Sequence, residues 1–260
     1  MKKITRIFTL ILISSLLPLS ACTNQVNVPP IDTLNLVTTK TFEFIENIPD
    51  SIIVSDGWEN GNGQLFDVAW TSSNAKIIDN SLELSITNKI FIDSYNSHYF
   101  GGEIQSQKRY HYGDYSVKMK PAKQVGIVTS FFVYTYNPWD EIDIEFLGKD
   151  TSKVQFNYYI NGKGKNEVIY DLGFDASLEF HEYGFRWAQD YIIWFVDGKP
   201  VHIAYESPNT PAAIMANMWC GTKKLKNWLG TFTGATDATK SYYMWMGCTT
   251  EPTGDYYHEG

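Results

Sequence analysis

Residues 139–150 read WDEIDIEFLGKD, an alternation that only an extended strand turns into two distinct faces. Successive side chains of a strand point to opposite sides. Glu141, Asp143 and Glu145 therefore share one face, and Ile142, Ile144 and Phe146 share the other. The apolar set can enter a core between two sheets, which leaves the acidic set on an outer, concave face. The rest of the chain agrees with a strand-built fold. DYSVKMK at 114–120 alternates Tyr115, Val117 and Met119 with Ser116, Lys118 and Lys120. VGIVTSFFVYTY at 125–136, KVQFNYYI at 153–160 and YIIWFVDGKPV at 191–201 are rich in β-branched and aromatic residues, and Asp197-Gly198 marks a hairpin turn.

Such runs recur with Asn, Gly, Asp and Pro between them. No long amphipathic helix pattern and no internal repeat is present; only TKKLKNWL at 222–229 suits a helical turn or two. The expectation is one all-β domain over residues 41–250, a two-sheet β-jelly-roll sandwich with a concave cleft, with an all-β barrel as the competing architecture. The chain of 260 residues carries 17 Tyr, 15 Phe and 8 Trp, enough for a large core with aromatics left over for a binding surface. Its net charge of −8 argues against nucleic acid, which needs clustered Lys and Arg. Neither GxxxxGK[ST] nor a GxGxxG following a strand is visible.

The first residues read as a targeting segment. Lys2, Lys3 and Arg6 precede an apolar stretch from Ile7 to Leu19, too short to span a membrane comfortably. It ends in Leu19-Ser20-Ala21-Cys22, which resembles a bacterial lipobox. Residues 1–21 are thus expected to be a lipoprotein signal peptide, Cys22 the lipidated residue, and 22–40 a polar, Pro-containing tether. The protein is expected outside the cytoplasm, anchored by that lipid or secreted. Export permits disulfides. Cys220 and Cys248 could pair or remain buried thiols, with free thiols the expectation.

Neighbouring acids on one strand face have Cα atoms about 6–7 Å apart. Three ionised carboxylates so close repel, and at least one should hold a proton near neutrality. Retaining glycoside hydrolysis needs that: one carboxylate nucleophile and one protonated acid, about 5–5.5 Å apart. Glu141 and Glu145 would lean toward each other across Asp143, which could keep their protonation states apart. On the pattern alone, a solvated strand face and a calcium site remain open. Asp and Glu are nevertheless disfavoured in strands, and here they keep company with Phe131, Phe132, Tyr134, Tyr136, Trp139, Tyr158 and Tyr159.

The E-I-D-I-E run resembles the active-site signature of glycoside hydrolase family 16, in the form found in bacterial lichenases, the endo-β-1,3-1,4-glucanases. Residues 113–134, 139–159, 172–198 and 214–231 are similar to lichenase segments as well. The resemblance implies a β-jelly-roll, Glu141 as nucleophile, Glu145 as general acid/base, Asp143 as assisting carboxylate, and retention through a glycosyl-enzyme. It also implies a β-glucan-binding cleft formed by Glu103, Phe132, Tyr134, Trp139, Asn157, Tyr159, Asn217, Trp219 and Trp228. Flat rings would stack on glucose, and amides and carboxylates would bind its hydroxyls. Trp139 precedes Glu141 by two and should share its face.

Several positions depart from the family pattern. Val68 and Gly101 stand where lichenases carry a disulfide, and Gln105 where an Arg is usual. The loop Tyr136-Asn137-Pro138 is short, and Cys220, beside Trp219, replaces an Asn and could be a cleft thiol or a packing residue. Many relatives hold a structural calcium partly through an Asp of the last strand. Met244 stands there, and a thioether is a poor calcium ligand, so no metal and no cofactor is expected. The expectation is a monomeric endo-β-1,3-1,4-glucanase. The alternatives are a β-1,3-glucanase or glucan transglycosylase of the same family, or a non-catalytic β-glucan-binding jelly-roll. Residues 251–260 lie beyond the resemblance.

Overall fold

A computed structural model describes residues 30, 33–89, 94–237 and 239–256. The signal segment and Cys22 lie outside the described residues. In chain order the strands are β1 (Phe42–Glu43), β2 (Ile52–Val54), β3 (Trp58–Glu59), β4 (Val68–Trp70), β5 (Ala75–Ile78) and β6 (Ser81–Asn88). There follow β7 (Tyr99–Tyr110), β8 (Gly113–Lys120), β9 (Ile127–Thr135), β10 (Asp140–Leu147), β11 (Lys153–Tyr159) and β12 (Val168–Asp171). The last six are β13 (His181–Trp187), β14 (Ile192–Val196), β15 (Lys199–Ala204), β16 (Ala212–Cys220), β17 (Lys240–Cys248) and β18 (Gly254–Asp255). The one α-helix among the described residues, α1 (Lys226–Leu229), is a single turn that follows a 3₁₀ turn over Lys223–Leu225.

The strands form two facing antiparallel layers, as the alternation predicts. In one layer β12, β11, β10, β9, β16 and β7 lie side by side, with β2 and β18 sharing the outer edge of β7. In the other, β15, β14, β13, β8, β17, β6 and β5 run in order, and β1 pairs with β17. The long β6 and β7 join the layers, Ile86 pairing with Gly101. The predicted hairpin at Asp197-Gly198 joins β14 to β15, with φ of 47° and 74° at its two residues, as a primed two-residue turn requires.

The core lies between the layers. Ile142, Ile144 and Phe146 are fully buried there, facing Tyr115, Val117, Met119, Tyr183 and Phe185 from the opposite layer. Two polar side chains of that opposite layer reach the backbone of the first. Trp194 Nε1 donates to the Asp143 carbonyl at 3.1 Å, and Tyr243 Oη donates to the Ser130 carbonyl at 2.9 Å. Both carbonyls belong to strands that carry the acids or face them, so packing of the second layer fixes the floor of the cleft.

Both ends assigned to tether or tail by composition have structure near the domain. Leu36 packs with Ile193 and Phe195 on the outside of the second layer, Val37 N–H donates to Asp114 Oδ2 at 2.8 Å, and Arg186 binds Asp114. The tether read up to residue 40 is therefore docked from about Leu34 onward. At the other end, β18 extends the first layer.

Candidate active site

The register of five strands sets the outer face of the first layer in rows. Glu145 lies beside Ser130 on β9 and Gln155 on β11; Ser130 lies beside Asn217 on β16, and Asn217 beside Glu103 on β7. The second row runs Gln105, Met215, Phe132, Asp143, Asn157 in the same way. The third runs Arg109, Ala213, Tyr134, Glu141, Tyr159. The rows reach across the sheet, perpendicular to the strands, and a cavity of about 450 Å³ lies over them. Glu103, Phe132, Tyr134, Trp139, the three acids, Asn217 and Trp219 line it.

The electrostatics separate the three carboxyls. Burial raises all of them, and the charges of neighbouring acids add to it for Asp143 and Glu145. Asp143 is pushed well above the usual range by burial, by the charges of Glu141 and Glu145, and by its hydrogen bond to Glu141. It is the protonated partner and donates. Burial, with the charge of Glu141 added, lifts Glu145 to about 8, against the opposing hydrogen bond from Gln155. Burial also raises Glu141, but hydrogen bonds from Trp139 and Asp143 favour its charged form. Trp139 Nε1 donates to Glu141 Oε2 at 2.6 Å. Trp139 and Asp143 thus favour the charged form of Glu141, while burial holds Glu145 protonated up to about 8, with the protonated Asp143 between them on the same face. A solvated strand face would not bury and protonate its acids in this way.

This arrangement costs stability, which fixes a pH dependence. The Glu145 pKa is about 8 in the fold against 4.5 ordinarily. The folded state therefore binds the proton more tightly than the unfolded chain, and stability falls as pH rises from 4.5 through about 8. Glu145→Gln is expected to melt above wild type at pH 8 by at least about 2–4 °C, the shift per kcal/mol for a domain of this size. The difference should vanish near pH 4.5. Differential scanning calorimetry at the two pH values checks this.

The structure gives the other predicted residues distinct surroundings. Glu103 is 2% exposed and accepts from Ser55 Oγ at 2.8 Å and Asn217 Nδ2 at 3.0 Å; burial lifts it to about 7. Ser130 Oγ donates to Asn217 Oδ1 at 2.5 Å, which fixes the amide orientation. Trp139 occupies the turn just before β10, is 43% exposed, and stacks on Tyr159 with ring centroids 4.7 Å apart. Asn157 bonds Tyr159 and leaves Oδ1 without a partner. It belongs to the second row but is not part of the cavity wall. Trp219 stacks on Phe66 at 3.9 Å.

Trp228 lies on α1, within the stretch read as a helical turn. It reaches the acids through one intermediate: Trp228 Nε1 donates to Gln155 Oε1 at 3.0 Å, and Gln155 Nε2 donates to Glu145 Oε2 at 2.6 Å. Sequence reasoning missed Gln155, Ser130 and Met215, although the first two are polar residues on strand faces adjoining the acids. It also missed Trp58 on β3 and Phe66 just before β4, which complete the cavity wall.

Cys220 is a core thiol. Trp219 faces the cleft, so its neighbour on the strand must face inward. Cys220 is fully buried, and Cys248 is a second separate buried free thiol. Burial pushes Cys220 up and Cys248 up to about 12, so neither is a thiolate at neutral pH. Val68 and Gly101 are neighbours: a Cβ at Gly101 would lie 3.1 Å from the Val68 Cβ. The half-buried Met244 offers only a thioether, and its carbonyl accepts from Phe44 N–H at 3.0 Å. That position does not suit a hard cation.

Residues 62–247 match the family model described as glycosyl hydrolases family 16. A "Beta-glucanase" from Paenibacillus polymyxa is 47% identical over 75% of this chain and 83% of its own length. A "Xylanase/beta-glucanase" from Ruminococcus flavefaciens is 45% identical over 82% of this chain, which spans only 27% of that longer protein. Among solved structures, a prokaryotic β-1,3-1,4-glucanase (lichenase) derived from a mouse hindgut metagenome is 44% identical. It superposes with a TM-score of 0.75, covering 80% of this chain and 97% of that one.

Proposed function

The chain belongs to glycosyl hydrolases family 16, and from that premise we propose that it cuts mixed-linkage β-1,3-1,4-glucan internally and with retention of configuration. The observation that carries the mechanism is the placement of Glu141, Asp143 and Glu145 on one strand face lining the cavity, with Trp139 donating to Glu141 and Gln155 to Glu145. The substrate reading is supported by relatives named β-glucanase and lichenase.

Glu141 attacks the anomeric carbon as Glu145 gives its proton to the departing glycosidic oxygen. The C1–O bond to the leaving chain breaks and an ester to Glu141 forms. Glu145, now ionised, takes a proton from water; that water attacks C1, and the ester bond breaks. Asp143 keeps its own proton and donates to Glu141, so the nucleophile is oriented without a third negative charge beside it. Trp139 has two duties, as a sugar platform and as the donor to Glu141. Glu103 and Asn217 would hold sugar hydroxyls at the far side of the cleft, with Phe132, Tyr134, Tyr159 and Trp219 as apolar surfaces. Trp228 acts on Glu145 through Gln155, and Asn157 acts through Tyr159.

Initial rates on barley β-glucan, laminarin and xyloglucan test the substrate. Mixed-linkage glucan is expected to be turned over at least about tenfold faster than the others, a difference of about 1.4 kcal/mol. A preference for laminarin or transfer onto xyloglucan would replace this reading, and binding without turnover would reduce the protein to a lectin-like module.

The basic start, short apolar stretch and Cys22 support export and lipid anchoring. No helix among the described residues is long and apolar enough to cross a membrane. Cys22→Ala is expected to move the protein from the membrane fraction to the soluble exported fraction, and an unchanged distribution on cell fractionation would remove the anchor.

A further inference from the structure

The chain beyond the family segment returns to the cleft. β18 pairs antiparallel with β7, Gly254 opposite Arg109 and Asp255 opposite Lys108. Thr253 N–H donates to the Arg109 carbonyl and Tyr256 N–H to the Gln107 carbonyl, each at 2.8 Å. Tyr256 is thus opposite Gln107, two residues along β7 from Gln105, and takes the face that carries Glu103 and Gln105.

On that face the third row has a notch. Ala213 puts only a methyl group between Arg109 and Tyr134. The Tyr256 ring fills the notch, clustering with Phe132, Ala213 and Met215, with Tyr134 packed alongside. The Arg109 guanidinium lies over the ring, 5.6 Å from its centroid. Tyr256 is 4% exposed and Ala213 fully buried. Phe132, Tyr134 and Met215 are walls of the cavity, and Tyr134 is the register partner of Glu141. A residue outside positions 62–247 therefore backs the rings that line the cleft.

We propose that Tyr256 is a substrate-positioning residue: held by β18, its ring fixes Phe132 and Tyr134 and so sets the affinity for the glucosyl units bound on the β7 side of the cleft. The inference rests on the β-glucan reading above. Tyr256 packs behind the cavity wall, against Phe132, Met215 and Tyr134, and is not itself among the residues that line it. Its effect belongs in binding and not in the chemical step. Its hydroxyl has no hydrogen-bond partner among the described residues, so the ring and not the hydroxyl carries the role.

The test is KM and kcat on barley β-glucan for wild type, Tyr256→Ala and Tyr256→Phe, each checked for a cooperative melt. Tyr256→Ala is expected to raise KM about three- to tenfold, as for loss of an aromatic pair, with kcat within about twofold. Tyr256→Phe should restore wild-type values. In a Glu141→Gln background, calorimetry with a mixed-linkage glucotetraose should weaken in Kd by the same factor for Tyr256→Ala. An unchanged KM and Kd in Tyr256→Ala, or a Tyr256→Phe variant as impaired as Tyr256→Ala, would overturn the proposal. Should Tyr256→Ala not fold, Tyr256→Leu keeps bulk without the flat ring and is read by the same criteria. If the wild type prefers laminarin, the substrate reading fails, and the same KM comparison on laminarin still decides the role of Tyr256.

Discussion

Glu141→Gln loses hydrolysis of barley β-glucan by about 10,000-fold or more in kcat, with the fold and its melting behaviour kept. The amide is isosteric but cannot form the ester to C1, so the two-step route has no first step. The size follows from removing the covalent partner itself and not a group that assists it; losses of this order accompany removal of a nucleophile. Trp139 Nε1 can still donate to the amide oxygen at position 141, which is why the site should remain assembled. Substrate should still bind, and calorimetry on the inactive variant should return a Kd close to the wild-type KM. Retained turnover would place the nucleophile elsewhere.

Glu145→Gln lowers kcat by about 100- to 10,000-fold, the usual contribution of general acid–base catalysis, and also removes one limb of the pH profile. In the wild type Glu145 must be protonated to assist departure of the leaving chain. Burial holds it protonated up to about 8, so kcat/KM should fall as pH rises through that value. On the acid side activity should fall as Glu141 becomes protonated. In Glu145→Gln the alkaline fall should disappear while the acid fall remains. An aryl glycoside whose leaving group needs no proton should recover much of the lost rate, because the amide leaves attack by Glu141 intact. An alkaline limb that survives in Glu145→Gln would assign the acid to another group.

How far the sequence carried this account depends on the range of the interaction. Strand alternation is local, so the facing of Ile142 and Ile144 into the core and of the acids outward could be read directly. The same rule already implied that Cys220 faces inward once Trp219 faces the cleft. The rows across the sheet are not local. Glu103 meets Asn217 across 114 positions of chain, and only strand order and register bring them together. Gln155 looked like one polar residue on one more strand; its bond to Glu145 depends on β11 pairing with β10 in this register. Trp139 was legible as a cleft ring, but its N–H on Glu141 depends on the turn that precedes β10.

The ends were the least legible. EPTGDYYHEG carries no alternation to place it. Its short strand forms on β7, which runs 12 residues: β2 pairs with Ile104–Ser106 and β18 with Lys108 and Arg109 further along the same edge. Likewise nothing in the composition of residues 23–40 foretells Leu34 and Leu36 packing against Ile193 and Phe195, since a few apolar residues scattered among polar ones do not say which surface they meet.

The central claim is that Glu141 and Glu145 carry out a double displacement on a β-glucan. Proton NMR of a fresh digest of barley β-glucan, recorded before mutarotation, reads it most directly. The account predicts that the first reducing ends are the β-anomer, with α appearing only later. An α-anomer formed first, as from a single inverting attack by water, would contradict it.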